Sequence, residues 1–136
     1  MMRKEKYCLL VEDDPDDQDL FIDALHDVSS TTGCYAVSNG QEALYTLLQT
    51  DFNPDYIFTD LNMPKMDGFE FLRILRSMER LRNIPVIVYS SDYSEEQIQK
   101  VRTLGVMAYY SKTRIGVLKD ILKKYFHDPI SKNTVL

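Results

Sequence analysis

The sequence predicts an α/β domain, a doubly wound three-layer sandwich in which a parallel five-stranded sheet of order 2-1-3-4-5 is covered by helices on both faces. Three observations carry this expectation. Short β-rich runs alternate with longer segments of helical period; each run is almost continuously apolar, as strands buried on both faces are; and turn-forming residues separate the two kinds of segment. The size agrees, because 136 residues of which 44% are apolar and 27% charged suit one globular domain and not a disordered segment. A single domain over residues 1–136 is expected, with its core at about 7–126 and a tail over 127–136 that carries no periodicity.

Each element has its own signal. The strand candidates are Tyr7–Val11, Tyr35–Ser38, Tyr56–Thr59, Val86–Tyr89 and Ala108–Tyr110, the last being the shortest. After the first of them Pro15 opens a helix, with Leu20, Phe21, Ala24, Leu25 and Val28 on one side. Asp16, Asp17, Asp19 and Asp23 gather towards the positive end of its dipole. Ala43, Leu44, Leu47 and Leu48 repeat the apolar spacing in the second helix, and Phe71, Leu72, Leu75 and Met78 in the third. Ser94 with Gln97 forms a capping-box signature for the fourth, whose Ile98, Val101 and Leu104 face inward before Gly105 ends it. Ile115, Leu118, Leu122, Tyr125 and Phe126 mark the fifth.

Charge and cysteine content narrow the function. A net charge of -5 with no long Lys/Arg run disfavours a nucleic-acid binder, which needs a clustered basic face. Two cysteines, Cys8 and Cys34, supply neither a disulfide framework nor a four-ligand zinc site. The apolar stretch Tyr7–Val11 runs straight into Glu12, Asp13 and Asp14, too short for a signal peptide. No segment approaches the roughly 20 apolar residues of a membrane span. A cytoplasmic protein without membrane insertion is the expectation.

In open parallel sheets, ligands bind beyond the carboxyl ends of the strands. Glu12, Asp13 and Asp14 follow the first strand, Asp60 the third, Ser90 ends the fourth and Lys112 follows the fifth. Carboxylates brought together there repel, and a hard divalent cation such as magnesium relieves the repulsion through oxygen ligands. Lys112 would neutralise an anion arriving at the metal and Ser90 would hydrogen-bond it. The constellation reads as a phosphoryl site whose own carboxylate is the acceptor.

The segments Leu9-Leu10-Val11-Glu12-Asp13-Asp14, Asp60-Leu61-Asn62-Met63-Pro64-Lys65-Met66-Asp67-Gly68, Val86-Ile87-Val88-Tyr89-Ser90-Ser91 and Gly105-Val106-Met107-Ala108-Tyr109-Tyr110-Ser111-Lys112 resemble, in order, the signature blocks of response-regulator receiver domains of two-component systems. The resemblance covers about Tyr7 to Phe126 and implies the flavodoxin-like (βα)5 fold. The single-domain chemotaxis and phytochrome-linked regulators of bacteria have the nearest architecture. It implies further that Asp60 accepts a phosphoryl group from a phosphohistidine on a sensor histidine kinase or histidine phosphotransfer protein. Mg2+ or Mn2+ would be held by Asp13, Asp60 and the backbone carbonyl of Asn62, with Glu12 acting through water. Ser90 matches the switch hydroxyl, Tyr109 the switch aromatic and Lys112 the cation paired with Asp60 or its phosphate. Such a protein catalyses only its own phosphorylation and dephosphorylation, and its output is a downstream protein target. The resemblance also leaves room for a homodimer through the fourth helix, fifth strand and fifth helix.

Two departures stand out. Thr113 occupies the place where the family usually has a proline after its lysine, and Asp14, Asp16 and Asp17 extend the acidic pair, so that a register shifted by one would exchange Asp14 for Asp13. Taken singly, Asp60 reads as a turn or cap residue, Glu12 to Asp14 as a helix cap, Ser90 as an ordinary strand-end hydroxyl, Lys112 as a solvated surface lysine, and Tyr109 as core. Their joint spacing favours the site. His26 and His127 lack metal-ligand spacing, and Met63 and Met66 read as loop packing. Rival classes fit less well. A flavodoxin-type module would meet three carboxylates where it needs phosphate donors. A haloacid-dehalogenase phosphatase needs a second Asp where Asn62 stands, and no P-loop motif occurs. The remaining competitor keeps the fold and drops the chemistry: an unphosphorylated receiver serving as an interaction module. Asn62 and Asp92 would flank the acyl phosphate and steer the hydrolytic water.

Overall fold

The computed structural model describes residues 6–49, 51–92, 94–112 and 115–126. Strands and helices alternate as β1 (Lys6–Val11), α1 (Pro15–Val28), β2 (Thr32–Val37), α2 (Gly40–Leu47), β3 (Tyr56–Thr59), α3 (Gly68–Ser77), β4 (Val86–Ser90), α4 (Glu95–Arg102), β5 (Ala108–Ser111) and α5 (Ile115–Tyr125). All neighbouring strands are parallel, in the order β2-β1-β3-β4-β5. The expected doubly wound (βα)5 sandwich is therefore the fold. Thr113 and the tail over 127–136, with His127, lie outside the described residues.

Alternation along the strands divides the interior into two cores. Leu9, Val11, Ile57, Val86 and Val88 pack with α2, α3 and α4, whereas Cys8, Leu10, Phe58 and Ile87 pack with α1 and α5. Both sets are buried, which explains why the strands read as unbroken apolar runs. Phe21, Phe58, Tyr56, Tyr125 and Phe126 meet edge-on in the second core, the favoured geometry for aromatic rings.

Three expectations need correction. The second strand starts at Thr32, not Tyr35, and ends at Val37, because Gly33 pairs with Tyr7 inside the ladder instead of breaking it. Leu20 and Leu48, assigned to buried stripes, are exposed; Leu48 already lies at the C-cap of α2. The capping box of α4 is only half formed. Ser94 Oγ accepts from the Gln97 N–H at 3.3 Å, but Gln97 Nε2 turns to Asp92 Oδ2 at 3.2 Å, and Asp92 Oδ1 takes the Ser94 N–H at 3.1 Å. Asp92 thus does what the box would assign to Gln97.

Candidate functional site

The end of β1 is anchored before any side chain acts. Glu12 N–H donates to Val37 O at 2.9 Å, and Gln18 Nε2, one turn into α1, donates to Glu12 O at 2.6 Å. Asp14 is the N-cap of α1: its Oδ1 accepts from the N–H groups of Asp16 at 2.9 Å and Asp17 at 3.4 Å. The carboxylates of Glu12, Asp13 and Asp60 each place an oxygen within 4.8 Å of the others, and Asp14 is not among them. Glu12 and Asp60 are buried while Asp13 faces solvent.

Asp60 stands at the end of β3, 6% exposed, with its N–H bonded to Val11 O at 3.0 Å. Its Oδ1 accepts from Leu61 N–H at 2.7 Å and its Oδ2 from Lys112 Nζ at 3.0 Å. Gly68 fixes this loop from behind, because its N–H donates to Leu61 O at 2.8 Å and a Cβ there would come within 2.4 Å of Asp60 O. Asn62 is exposed, two residues beyond Asp60. Lys65, in the same loop, has φ 64°, a left-handed conformation that a non-glycine residue adopts at a cost of about 1–2 kcal/mol.

Lys112 joins the three strand ends. Its backbone N–H donates to Ser90 O at 2.8 Å, and its ammonium reaches Glu12 Oε1 at 2.6 Å, Asp17 Oδ2 at 2.8 Å and Asp60 Oδ2 at 3.0 Å. Burial works against the charge of Lys112, but the hydrogen bonds to Asp17 and Glu12 and the charges of Asp60 and Glu12 prevail and raise its pKa. Burial pushes the Glu12 carboxyl up to about 7, opposed by Lys112 and the Asp14 N–H and aided by the charge of Asp60.

Ser90 is fully buried at the end of β4 and its Oγ accepts from Asp92 N–H at 3.2 Å, whereas Ser91 is exposed. Tyr109 packs on the core shared by α2, α3 and α4, and its hydroxyl donates to the Asp92 carbonyl. Tyr110 belongs to the opposite core. The side chain of Asp92 accepts from the Ser94 N–H and from Gln97 Nε2 in the first turn of α4. Asp17 as a partner of Lys112 was not singled out by the sequence; its place four residues beyond Asp13, in the first turn of a helix starting at the rim, was the available signal.

A parallel sheet of this order, with a carboxylate cluster and a lysine converging at its C-terminal rim, is the arrangement of a receiver domain. The chain belongs to the response regulator receiver domain family, whose family model matches residues 8–123. Chemotaxis protein CheY of Pseudomonas aeruginosa is 33% identical over 119 residues, covering 87% of this chain and 94% of that protein. The phosphorylated cyanobacterial phytochrome response regulator RcpA superposes with a TM-score of 0.80 at 34% identity, over 88% of this chain and 89% of that one. The Mn2+-bound form of response regulator Rcp1 gives 0.76 at 28% identity, over 88% and 90%. Other curated relatives are longer, the chain spanning 54% of one and 33% of another. Receiver domains bind a divalent metal and work with histidine kinases and downstream targets, so the chain is a component of two-component signalling. Among the described residues no helix is long and apolar enough to cross a membrane.

Proposed function

We propose that this receiver acts as a phosphoryl acceptor and switch, with Asp60 as the acceptor. The observation that carries the reading is the contact of a buried Asp60 carboxylate with Lys112, inside a cluster formed with Glu12 and Asp13. One Asp60 oxygen attacks the phosphorus of a phosphohistidine on the kinase or phosphotransfer partner. The O–P bond forms, the N–P bond breaks, and the imidazole nitrogen leaves with the electron pair. Lys112 carries its donor to the oxygen where negative charge grows, and Ser90 supplies a hydroxyl at the same rim.

The donor set suits a hard divalent ion, Mg2+ or Mn2+, because three carboxylates with oxygens this close repel one another and offer such an ion the oxygen ligands it prefers. Asp13, Asp60 and the Asn62 carbonyl would hold it, with Glu12 through water, and it would offset charge on the phosphoryl oxygens. The phosphorylated state differs locally by added negative charge, and the rim hydroxyl Ser90 is joined through Asp92 to Tyr109 and to α4. This chain of contacts supports an output surface on α4, β5 and α5, read by a protein target or a second copy.

Intact mass after incubation with acetyl phosphate and magnesium tests the acceptor. The native chain should gain one base-labile phosphoryl group and Asp60→Asn none. Equal labelling of both would move the acceptor elsewhere. No labelling of the native chain by acetyl phosphate or by a phosphorylated histidine kinase would instead favour the unphosphorylated interaction module.

A further inference from the structure

An ammonium group has three donors, and at Lys112 three carboxylates take them. Two of these, Glu12 and Asp60, belong to the cluster that a divalent ion would draw upon. The third, Asp17, does not. Its side chain is 35% exposed, against 4% for Glu12 and 7% for Asp60. It is carried by the first turn of α1, which Gln18 fastens to the end of β1 at Glu12 O.

We propose that Asp17 is a positioning residue for phosphoryl uptake, holding the Lys112 ammonium so that one of its donors stays directed at the acceptor oxygen of Asp60. The proposal rests on the reading of Asp60 as acceptor. As the phosphoryl group arrives, the Asp60 oxygen loses its charge to the new O–P bond, and the donor it held passes to a phosphoryl oxygen. Glu12 belongs to the cluster that would hold a divalent ion. Asp17 alone among the three lies outside both the reacting oxygens and that cluster. A lysine side chain is a flexible four-carbon stem, and the backbone of Lys112 is held by Ser90 on β4. Fixing the far end from α1 pins the stem at two points. Transfer rates fall steeply when a group is misplaced by an ångström, so the second pin matters for rate more than for fold.

The experiment follows phosphoryl uptake from acetyl phosphate by intact mass at saturating magnesium. It compares the native chain, Asp17→Ala, Asp17→Asn, Lys112→Ala and the Asp17→Ala/Lys112→Ala double variant. Asp23→Ala, which removes an exposed α1 carboxylate away from the rim, controls for lost charge. Asp17→Ala should slow uptake by on the order of five- to tenfold. Asp17→Asn, which keeps an acceptor oxygen, should recover part of the loss, and Asp23→Ala should change the rate by less than about twofold. In the Lys112→Ala background Asp17→Ala should add nothing. Additive effects of the two substitutions, or equal effects of Asp17→Ala and Asp23→Ala, overturn the positioning role while leaving the acceptor reading intact. Absence of uptake by the native chain from acetyl phosphate and from a phosphorylated histidine kinase alike overturns both.

Discussion

Glu12 is 3% exposed, and burial pushes its carboxyl from 4.5 up to about 7. In the metal-free protein this has a signed consequence. Between the two values the folded state holds a proton that the unfolded state has released, so this contribution is fully present below pH 4.5 and is lost as pH rises through about 7. The shift corresponds to on the order of 3 kcal/mol. Urea unfolding in a chelator at pH 5 and pH 8 should show the native chain losing roughly that much relative to Glu12→Gln, whose amide does not titrate. Parallel pH dependences of the two proteins would mean that Glu12 stays ionised beside Lys112. Such a balance could not be read from the chain, because it depends on a lysine 100 residues away and on an aspartate from a different strand.

At the scale of elements, the α3 N-terminus and the loop that follows Asp60 form one unit through Gly68. A methyl group there would meet backbone, Asp60 O at 2.4 Å and Leu61 Cα at 2.7 Å, and backbone cannot turn aside as a side-chain end can. Gly68→Ala should destabilise by about 1–3 kcal/mol, as overpacking does, and slow phosphoryl uptake because Asp60 must shift. Gly116, inside α5 with nothing within 4 Å of an added Cβ, makes the contrast. Its replacement by alanine should raise stability by about 0.5–1 kcal/mol and leave uptake alone. Urea midpoints and intact mass read both, and matching losses would contradict the steric account. The Asp67-Gly68 pair was legible as a helix start, but its closeness to Asp60 was not. The same division holds throughout. Apolar period gave four strands to within a residue or so, while β2 was cut short because Gly33 looks like a breaker until Tyr7 pairs with it. The rim residues were legible since each stands at the end of a strand or within two residues of it. Arg76 was not. It donates to Leu104 O at 2.8 Å, Arg82 O at 2.7 Å and Gly105 O at 3.1 Å, tying α3 to the turns flanking β4 and α4, and an arginine in a last helical turn signals none of this. Asp92 was legible as a neighbour of the site, but not the links that its backbone N–H, carbonyl and carboxylate make to Ser90, Tyr109 and α4 respectively.

The whole molecule carries a net charge of -5, and folding concentrates part of it, since Glu12, Asp13 and Asp60 come from two strand ends that are distant in the unfolded chain. Lys112 offsets one charge, and a divalent cation offsets more. Because the cation finds three converged carboxylates only in the folded state, binding must stabilise the fold by mass action. Above the dissociation constant, unfolding free energy should climb by about 1.4 kcal/mol for each tenfold rise in free magnesium. Asp13→Asn should begin from a higher stability in chelator, having one fewer repelling carboxylate, and should respond weakly to magnesium. The crossing of those two trends separates a metal site from a merely acidic surface. Sodium chloride at matched ionic strength supplies the control, because screening acts on exposed carboxylates in general and does not single out Asp13. If sodium reproduced the rise and Asp13→Asn followed the native chain, the cluster would be screened rather than ligated, and the chemistry proposed for Asp60 would lose its metal.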